Sequence, residues 1–291
     1  MSSLRTLLKR NPALVRLVFA ARRKMGGLRW NASVLEALPL YAPNSAGSVR
    51  DKASLALASA DRAFPALLEL LSSRKDVELR TRSPHPLETL ECEGDARSLA
   101  DRLGESFDKH GSDKTDLRHH FLHARLLTGR ASEELDILEI GLGTNNTDCV
   151  SHMGRDGRPG ASLRAFRDCL PKARIYGADI DRGCLFEEDR IETSWVDQTR
   201  PETIRELSNL SGRGYDLIVD DGLHSPDANL HVLLFAIDEL KPGGTLVIED
   251  ITPHALPLWN VVEALLPDGM ECAIYEASSG ELVFTVKRPH N

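Results

Sequence analysis

Apolar residues in the second half of the chain gather into short runs that end in acids or glycines. The runs are Asp136 to Ile140, Arg174 to Asp179, Ile191 to Val196, Tyr215 to Val219 and Thr245 to Ile248. They are short, rich in Val, Ile and Leu, and bounded by turn or helix signals, so they read as buried parallel strands. Helical stretches lie between them. Ser162 reads as the N-cap of a helix through Leu170, Ser225-Pro226 opens another, and a third falls near Leu256 to Leu266. Two last runs, Glu271 to Tyr275 and Leu282 to Val286, flank the turn signal Ser278-Ser279-Gly280 and predict a closing hairpin. Strands alternating with helices predict an α/β chain with a Rossmann-like, mostly parallel sheet whose terminal strand is antiparallel.

The first part of the chain has a different texture. Helical stretches at Val34 to Leu38 and Lys52 to Leu71 alternate with breaks at Pro39, Pro43, Pro84 and Pro86. This predicts an auxiliary helical region over residues 1–105 and a nucleotide-type domain over 106–291. The auxiliary region is expected to cover the active site or make subunit contacts, giving a homo-oligomer.

In an open parallel sheet, ligands bind outside the carboxyl ends of the strands. Asp220-Asp221-Gly222-Leu223-His224 ends one predicted strand, and Glu249-Asp250 ends its expected neighbour. Asp221, Glu249 and Asp250 therefore converge, with His224 a short turn away. Crowded carboxylates repel unless a cation sits among them, and oxygen donors suit Mg²⁺. Asp220 is as well explained as a residue that caps the next helix or holds solvent.

Glu139-Ile140-Gly141-Leu142-Gly143 supplies a glycine turn through which backbone can approach a ligand. The third glycine of a dinucleotide fingerprint is absent, and no phosphate-cradling Gly-Lys-Ser/Thr motif occurs. Asp179, at the end of the second strand, can accept hydrogen bonds from ribose hydroxyls. Asp197 and Gln198, after the third strand, can read an adenine edge. Alternatively, Asp197 caps the helix from Pro201. Lys114, His119, His120 and His123 are candidates to line the carboxylate end of a cofactor. His119 and His123 also stand at an i, i+4 spacing that zinc sites use, without the accompanying glutamate.

Composition narrows the classes. The net charge of −8 argues against a general nucleic-acid binder. Five scattered cysteines without a Cys-x-x-Cys motif fit a reducing cytoplasm better than a disulfide framework. Residues 1–30 hold eight basic residues and no acid, so the remainder carries −16. There Asn11-Pro12 opens a helix on which Leu14, Leu17, Val18 and Ala21 share a face. Such a helix lies on anionic lipid as a peripheral contact, or packs as a surface or subunit helix. Arg16 interrupts it too early for a membrane span or signal peptide.

From about Phe107 to Val286 the chain resembles the metal-dependent macrolide-sugar O-methyltransferases of the mycinamicin 2-hydroxyl type, within the class I S-adenosylmethionine-dependent methyltransferases. The resemblance rests on Lys109-His110-Gly111-Ser112-Asp113-Lys114, Leu138 to Gly143, Gly160-Ala161-Ser162-Leu163-Arg164, Tyr176 to Asp181, Val196-Asp197-Gln198, Asp220 to His224, and Lys241-Pro242-Gly243-Gly244 through Glu249-Asp250. The pairing of Asp-Asp-Gly-x-His with Glu-Asp is the most specific part. Family members often carry Ser where Leu223 stands. The resemblance implies S-adenosylmethionine and Mg²⁺ as cofactors. It implies Asp221, Glu249 and Asp250 as metal ligands and His224 as general base. It places the cofactor against Glu139, Gly141, Gly143, Ser162, Asp179, Asp197 and Gln198. The acceptor would be a sugar-containing small molecule or glycan. A non-catalytic cofactor-binding protein of the same fold and a nicotinamide-dependent oxidoreductase are the alternatives.

Overall fold

The computed structural model describes residues 27–72 and 82–290. The basic, amphipathic helix expected at Asn11 to Ala21 lies outside the described residues. Among the described residues, no helix is long and apolar enough to cross a membrane.

Among the described residues, nine strands form one sheet: β1 (His85–Pro86), β2 (Asp136–Ile140), β3 (Arg174–Asp179), β4 (Glu187–Glu188), β5 (Ile191–Trp195), β6 (Tyr215–Asp220), β7 (Leu240–Ile251), β8 (Glu271–Glu276) and β9 (Leu282–Lys287). Their spatial order is β1-β8-β9-β7-β6-β2-β3-β5-β4. From β5 through β3, β2 and β6 to β7, every pairing is parallel. β9 enters beside β7 antiparallel and pairs with β8 as the expected hairpin. The order reverses direction between β2 and β6, so a crevice opens at the carboxyl ends there.

Among the described residues these helices accompany the sheet: α1 (Val49–Ser72), α2 (Gly94–His110), α3 (His119–Leu127), α4 (Ala161–Cys169), α5 (Pro201–Arg205), α6 (Ser208–Ser211), α7 (Pro226–Glu239) and α8 (Leu256–Leu265). Residues 27–37 add further helical turns. Side chains alternate across each strand, and this divides the helices between two faces. Leu138, Ile140, Ile218, Leu246 and Ile248 pack with α1, α7 and α8. Ile137, Leu217, Val219 and Val247 pack with α2, α3 and α4 on the opposite face.

Three expectations need adjustment. The boundary at residue 105 falls inside the continuous helix α2, whose Leu99, Leu103 and Phe107 share a core with Leu163 and Phe166 of α4. Ala63, Ala66 and Leu70 of α1 likewise join the core of the other face. Apolar positions on these helices are covered by the sheet, so these two helices belong to the same packed body as the strands. Second, Ser162 does not cap its helix. Gly160, in the left-handed region at φ 72°, is the N-cap, and Ser162 sits within α4. Third, the strand placed at Thr245 to Ile248 runs from Leu240 to Ile251.

The amino ends of β2 and β6 carry a closed charge network. Asp136 meets Arg213 at 2.7 Å, and Asp216 meets Lys241 at 2.7 Å. Arg130 is a third cation against these two acids. The carboxyl ends of the same strands show the opposite balance.

Candidate active site

Strand pleating aims the acids at the carboxyl ends in different directions. Ile137, on β2, and Val219 and Val247, on β6 and β7, face α2 to α4. Glu139 and Glu249 stand two residues from Ile137 and Val247, so they point to that same face. Asp220 stands two residues beyond Ile218, on the face of α7. Asn229 of α7 donates to its Oδ2 at 2.8 Å, and Gln198 donates to its Oδ1 at 2.7 Å. Asp220 is thus a fully satisfied brace.

Asp221 lies just past the end of β6, where its N–H donates to the Ile140 carbonyl at 2.8 Å. Asp250 lies in an irregularity of β7, between the register pairs of Ile248 and Ile251. Asp250 and His224 both have a φ of 53°, the left-handed region that side chains with a Cβ seldom adopt. Bulges and such outliers re-aim side chains at functional sites. Here they turn Asp250 out of the pleat toward Asp221. His224 Nε2 lies 3.9 Å from Asp221 Oδ1 and 3.9 Å from Asp250 Oδ2. One donor atom from each of the three lies within 4.8 Å of the others.

Glu249 takes another position. It is 1 % exposed and carries Lys114 on Oε2. His123 Nε2 lies 2.9 Å from Oε1, and His119 Nδ1 lies 3.1 Å from Oε2. The neighbour in sequence of Asp250 is therefore its support, behind the cavity wall. The Lys114 ammonium also reaches Asp221 Oδ2 at 2.6 Å and Glu139 Oε1 at 3.3 Å.

Local sequence explains how Lys114 arrives there. Gly111, at φ 84°, ends α2 in a left-handed C-cap. Ser112 caps a short 3-10 turn over Asp113–Thr115, which drives Lys114 into the protein. Lys114, His119 and His123 were expected beside a cofactor. They are instead buried beneath the acids. The i, i+4 histidines both reach Glu249, one at each of its oxygens.

The electrostatics are unbalanced. Glu139, Asp221 and Glu249 crowd around a single buried ammonium, and Asp250 stands near them without contacting it. Burial and the neighbouring Glu249, Asp250 and Glu139 carboxylates push the Asp221 carboxyl well above its usual range, against the pull of Lys114. Burial raises Asp250 as well, although His224 and His119 oppose it. Burial would raise Glu249 too, but Lys114 and the two histidines outweigh it and hold that carboxyl well below the usual range. Four carboxylates against one ammonium, together with two free carboxylate edges facing an imidazole, make a donor set that fits a hard divalent cation.

Two cavities meet at this point. One, of about 290 Å³, is lined by Asn44, Ser45, Ser112, Asp113, Ser151, His152, Ser162, Asp221, His224 and Asp250, and is strongly polar. The other, of about 300 Å³, is lined by Leu55, Ile140, Val150, Ala178, Ile180, Val196 and Leu223, with Asp179, Asp197 and Thr199 among its polar groups. Both touch Gly141, Gly143, Ser151 and Asp221.

Most of the other expected residues line these cavities, though several also hold the framework. Asp179 accepts the N–H groups of Leu142 and Asp181, each at 2.8 Å. It thereby ties β3 to the glycine turn. Asp197 accepts from the Thr199 N–H and hydroxyl, the turn that leads into α5. Glu139 accepts the Ser162 hydroxyl and lines neither cavity. Gln198 has both ends engaged: it donates to Asp220 and accepts the Leu223 N–H at 2.8 Å. It fixes the Asp220 to Leu223 turn and also lines the second cavity, with one N–H not engaged by these bonds. Gln198→Ala leaves a buried acceptor and a buried donor without partners. It is expected to lower the unfolding free energy by about 1–3 kcal/mol, measured by denaturant titration.

Residues 44–46 complete the wall. Asn44 Nδ2 donates to the Asp250 carbonyl at 2.9 Å, and its N–H donates to the His224 carbonyl at 3.0 Å. Ser45 donates to the Leu223 carbonyl at 2.7 Å. These bonds bring part of the first hundred residues to the edge of the site. Asn44 and Ser45 themselves had no signal in the sequence beyond a turn-like Pro-Asn-Ser.

Comparison with known proteins follows the same lines. No family model matches the chain. It is 27 % identical over 181 residues to the 8-demethyl-8-alpha-L-rhamnosyl tetracenomycin-C 2'-O-methyltransferase of Streptomyces olivaceus, across 60 % of this chain and 44 % of that one. It is 34 % identical over 123 residues to the demethylmacrocin O-methyltransferase of Streptomyces fradiae, across 41 % of this chain and 28 % of that one. The chain thus spans less than half the length of these curated relatives. Among solved structures, the MycE methyltransferase of the mycinamycin biosynthetic pathway, in complex with Mg and SAH, superposes with a TM-score of 0.53 at 22 % identity. The superposition covers 65 % of this chain and 55 % of that one. Strand order, the antiparallel β9 and this likeness together identify a Rossmann-like, class I methyltransferase fold.

Proposed function

We propose that this chain is an S-adenosylmethionine-dependent O-methyltransferase that uses a divalent cation to methylate a hydroxyl of a sugar or glycosylated small molecule. The observation that carries this reading is the convergence of Asp221, Asp250 and His224 in the polar cavity, beside the wall at Asp221 that both cavities share.

The larger cavity suits an adenosine. Its apolar sides would hold a base, and Asp179 at the carboxyl end of β3 would meet the ribose hydroxyls. The glycine turn at Gly141 to Gly143 would carry the methionine part across to the polar cavity. Asp221 and Asp250 are the first candidates to hold the cation, through the oxygens that face His224. Glu249 joins them only with the lone pairs its three partners leave.

A divalent cation in this place would orient two neighbouring hydroxyls and acidify one of them. His224 is the group placed to take that proton. Its Nδ1 is buried without a partner, and its Nε2 faces both carboxylates. The polar cavity is lined by hydroxyl and carboxylate side chains with no aromatic platform but His152 and His224. That lining suits a polyhydroxyl group, and the volume admits one sugar ring while an attached aglycone stays outside. The names of the relatives, a rhamnosyl tetracenomycin-C 2'-O-methyltransferase and a demethylmacrocin O-methyltransferase, support the same acceptor class. Once the oxygen is held in line with the sulfonium methyl, positioning supplies much of the rate.

Calorimetry with S-adenosylmethionine tests the cofactor part. The wild-type chain is expected to bind it, and Asp179→Ala is expected to lose about 1–3 kcal/mol of that affinity, since a buried polar partner is removed. Unchanged affinity in Asp179→Ala would take this residue out of the site. Binding of a nicotinamide dinucleotide instead would sink the reading.

A further inference from the structure

We propose that Lys114 acts as a fixed positive charge that tunes the candidate divalent site, lowering its affinity for the ion and preserving the ion's power to acidify a hydroxyl. This rests on the reading that Asp221 and Asp250 hold a divalent cation. Lys114 is 2 % exposed and lines neither cavity, so it has no route to substrate. Its ammonium meets Glu139, Asp221 and Glu249, all on the side turned away from the polar cavity. Asp221 is shared: Oδ2 takes Lys114, while Oδ1 faces His224.

A cation on Oδ1 would lie about 2 Å from that oxygen, and hence roughly 5–6 Å from the ammonium across the carboxylate. At that separation a unit charge facing a divalent ion changes affinity by more than about tenfold, even with strong dielectric screening. Charge balance points the same way. With Lys114, four carboxylates and a divalent cation leave a net charge of about −1; without it they leave −2, and the ion draws less density from a coordinated hydroxyl. Lys114 is therefore a positioning and tuning residue, acting through Asp221 and Glu249.

Mn²⁺ titration of the metal-free full chain by calorimetry tests this. Lys114→Met is expected to bind Mn²⁺ at least about tenfold more tightly than wild type, and to melt at a lower temperature without the ion. Lys114→Met combined with Glu139→Gln restores the charge balance and is expected to return to within about threefold of wild-type affinity. Wild-type or weaker affinity in Lys114→Met overturns the proposal, as does a double variant that binds as tightly as the single. Should Lys114→Met fail to fold, Glu139→Gln alone decides: it is expected to weaken Mn²⁺ binding, and unchanged or tighter binding overturns the proposal. A wild-type chain that binds no divalent cation defeats the underlying metal reading, a result distinct from these.

Discussion

Chain stripped of divalent cations is expected to transfer no measurable methyl group to a rhamnosylated or macrolide acceptor, and Mg²⁺ is expected to restore transfer. The expectation follows from the crowding of Glu139, Asp221 and Glu249 around one ammonium with Asp250 beside them, which leaves the cavity-facing oxygens of Asp221 and Asp250 without a counter-charge. An alcohol is a weak nucleophile at neutral pH, so loss of the acidifying ion removes most of the driving force. Asp221→Asn should cut turnover while sparing S-adenosylmethionine affinity, because it keeps the shape and removes a charged ligand. His224→Ala should keep both cation and cofactor and lose about 10²–10⁴-fold in rate, the usual contribution of a positioned base. Single-turnover assays read the rate, and calorimetry reads the two affinities. Full activity in excess chelator would falsify the metal mechanism. A His224→Ala variant that turns over normally sinks the assigned base, and one that loses the cation makes His224 a ligand.

Gly141→Ala is expected to be among the most damaging single changes in the chain. Gly141 has a φ of 100°, and a Cβ there would stand 2.1 Å from the Asp221 carbonyl oxygen and 2.6 Å from Gly222 Cα. Both are backbone atoms, so no side chain can turn aside to make room. The glycine turn and the Asp221 loop would have to part, and that contact is the wall shared by both cavities. Overpacking and left-handed strain together are expected to cost about 3–5 kcal/mol, a large share of the stability of an ordinary domain. Cofactor and cation binding should fall with it. Gly212→Ala is the control. Its φ of 66° is also left-handed, but nothing lies within 4 Å of the added Cβ. That change is expected to cost only about 1 kcal/mol. Equal melting temperatures for the two variants would show that close backbone approach is not what Gly141 provides.

Lys114, Asn44 and Gln198 show where sequence reading reaches its limit. Gln198, next to a predicted strand end, reads as a group free to meet a base. Only the structure shows that its amide also ties Asp220 to Leu223. Lys114 follows a left-handed glycine and reads as a loop residue near a cofactor. Its partners Asp221 and Glu249 are 107 and 135 positions away. Asn44 reaches Asp250 across 206 positions.

The sequence by itself determined seven of the nine strands, their parallel run, the closing hairpin and the acids at the carboxyl ends of β6 and β7, but not the two-residue edge strands β1 and β4. These follow from local physics. Apolar runs of strand length demand burial on both sides, and acids or glycines end them. Alternation along β7 even carries the information that Glu249 faces α2 to α4, since it stands two residues from Val247. What only the tertiary structure decided is which charges meet. The bulge at Asp250 turns one acid into the cavity, and the helix ending at Gly111 sends one lysine behind the others. Such meetings depend on packing between distant segments, which leaves no periodic mark on the chain. The division of labour between Asp250 and Glu249, adjacent in sequence and opposite in direction, is settled there.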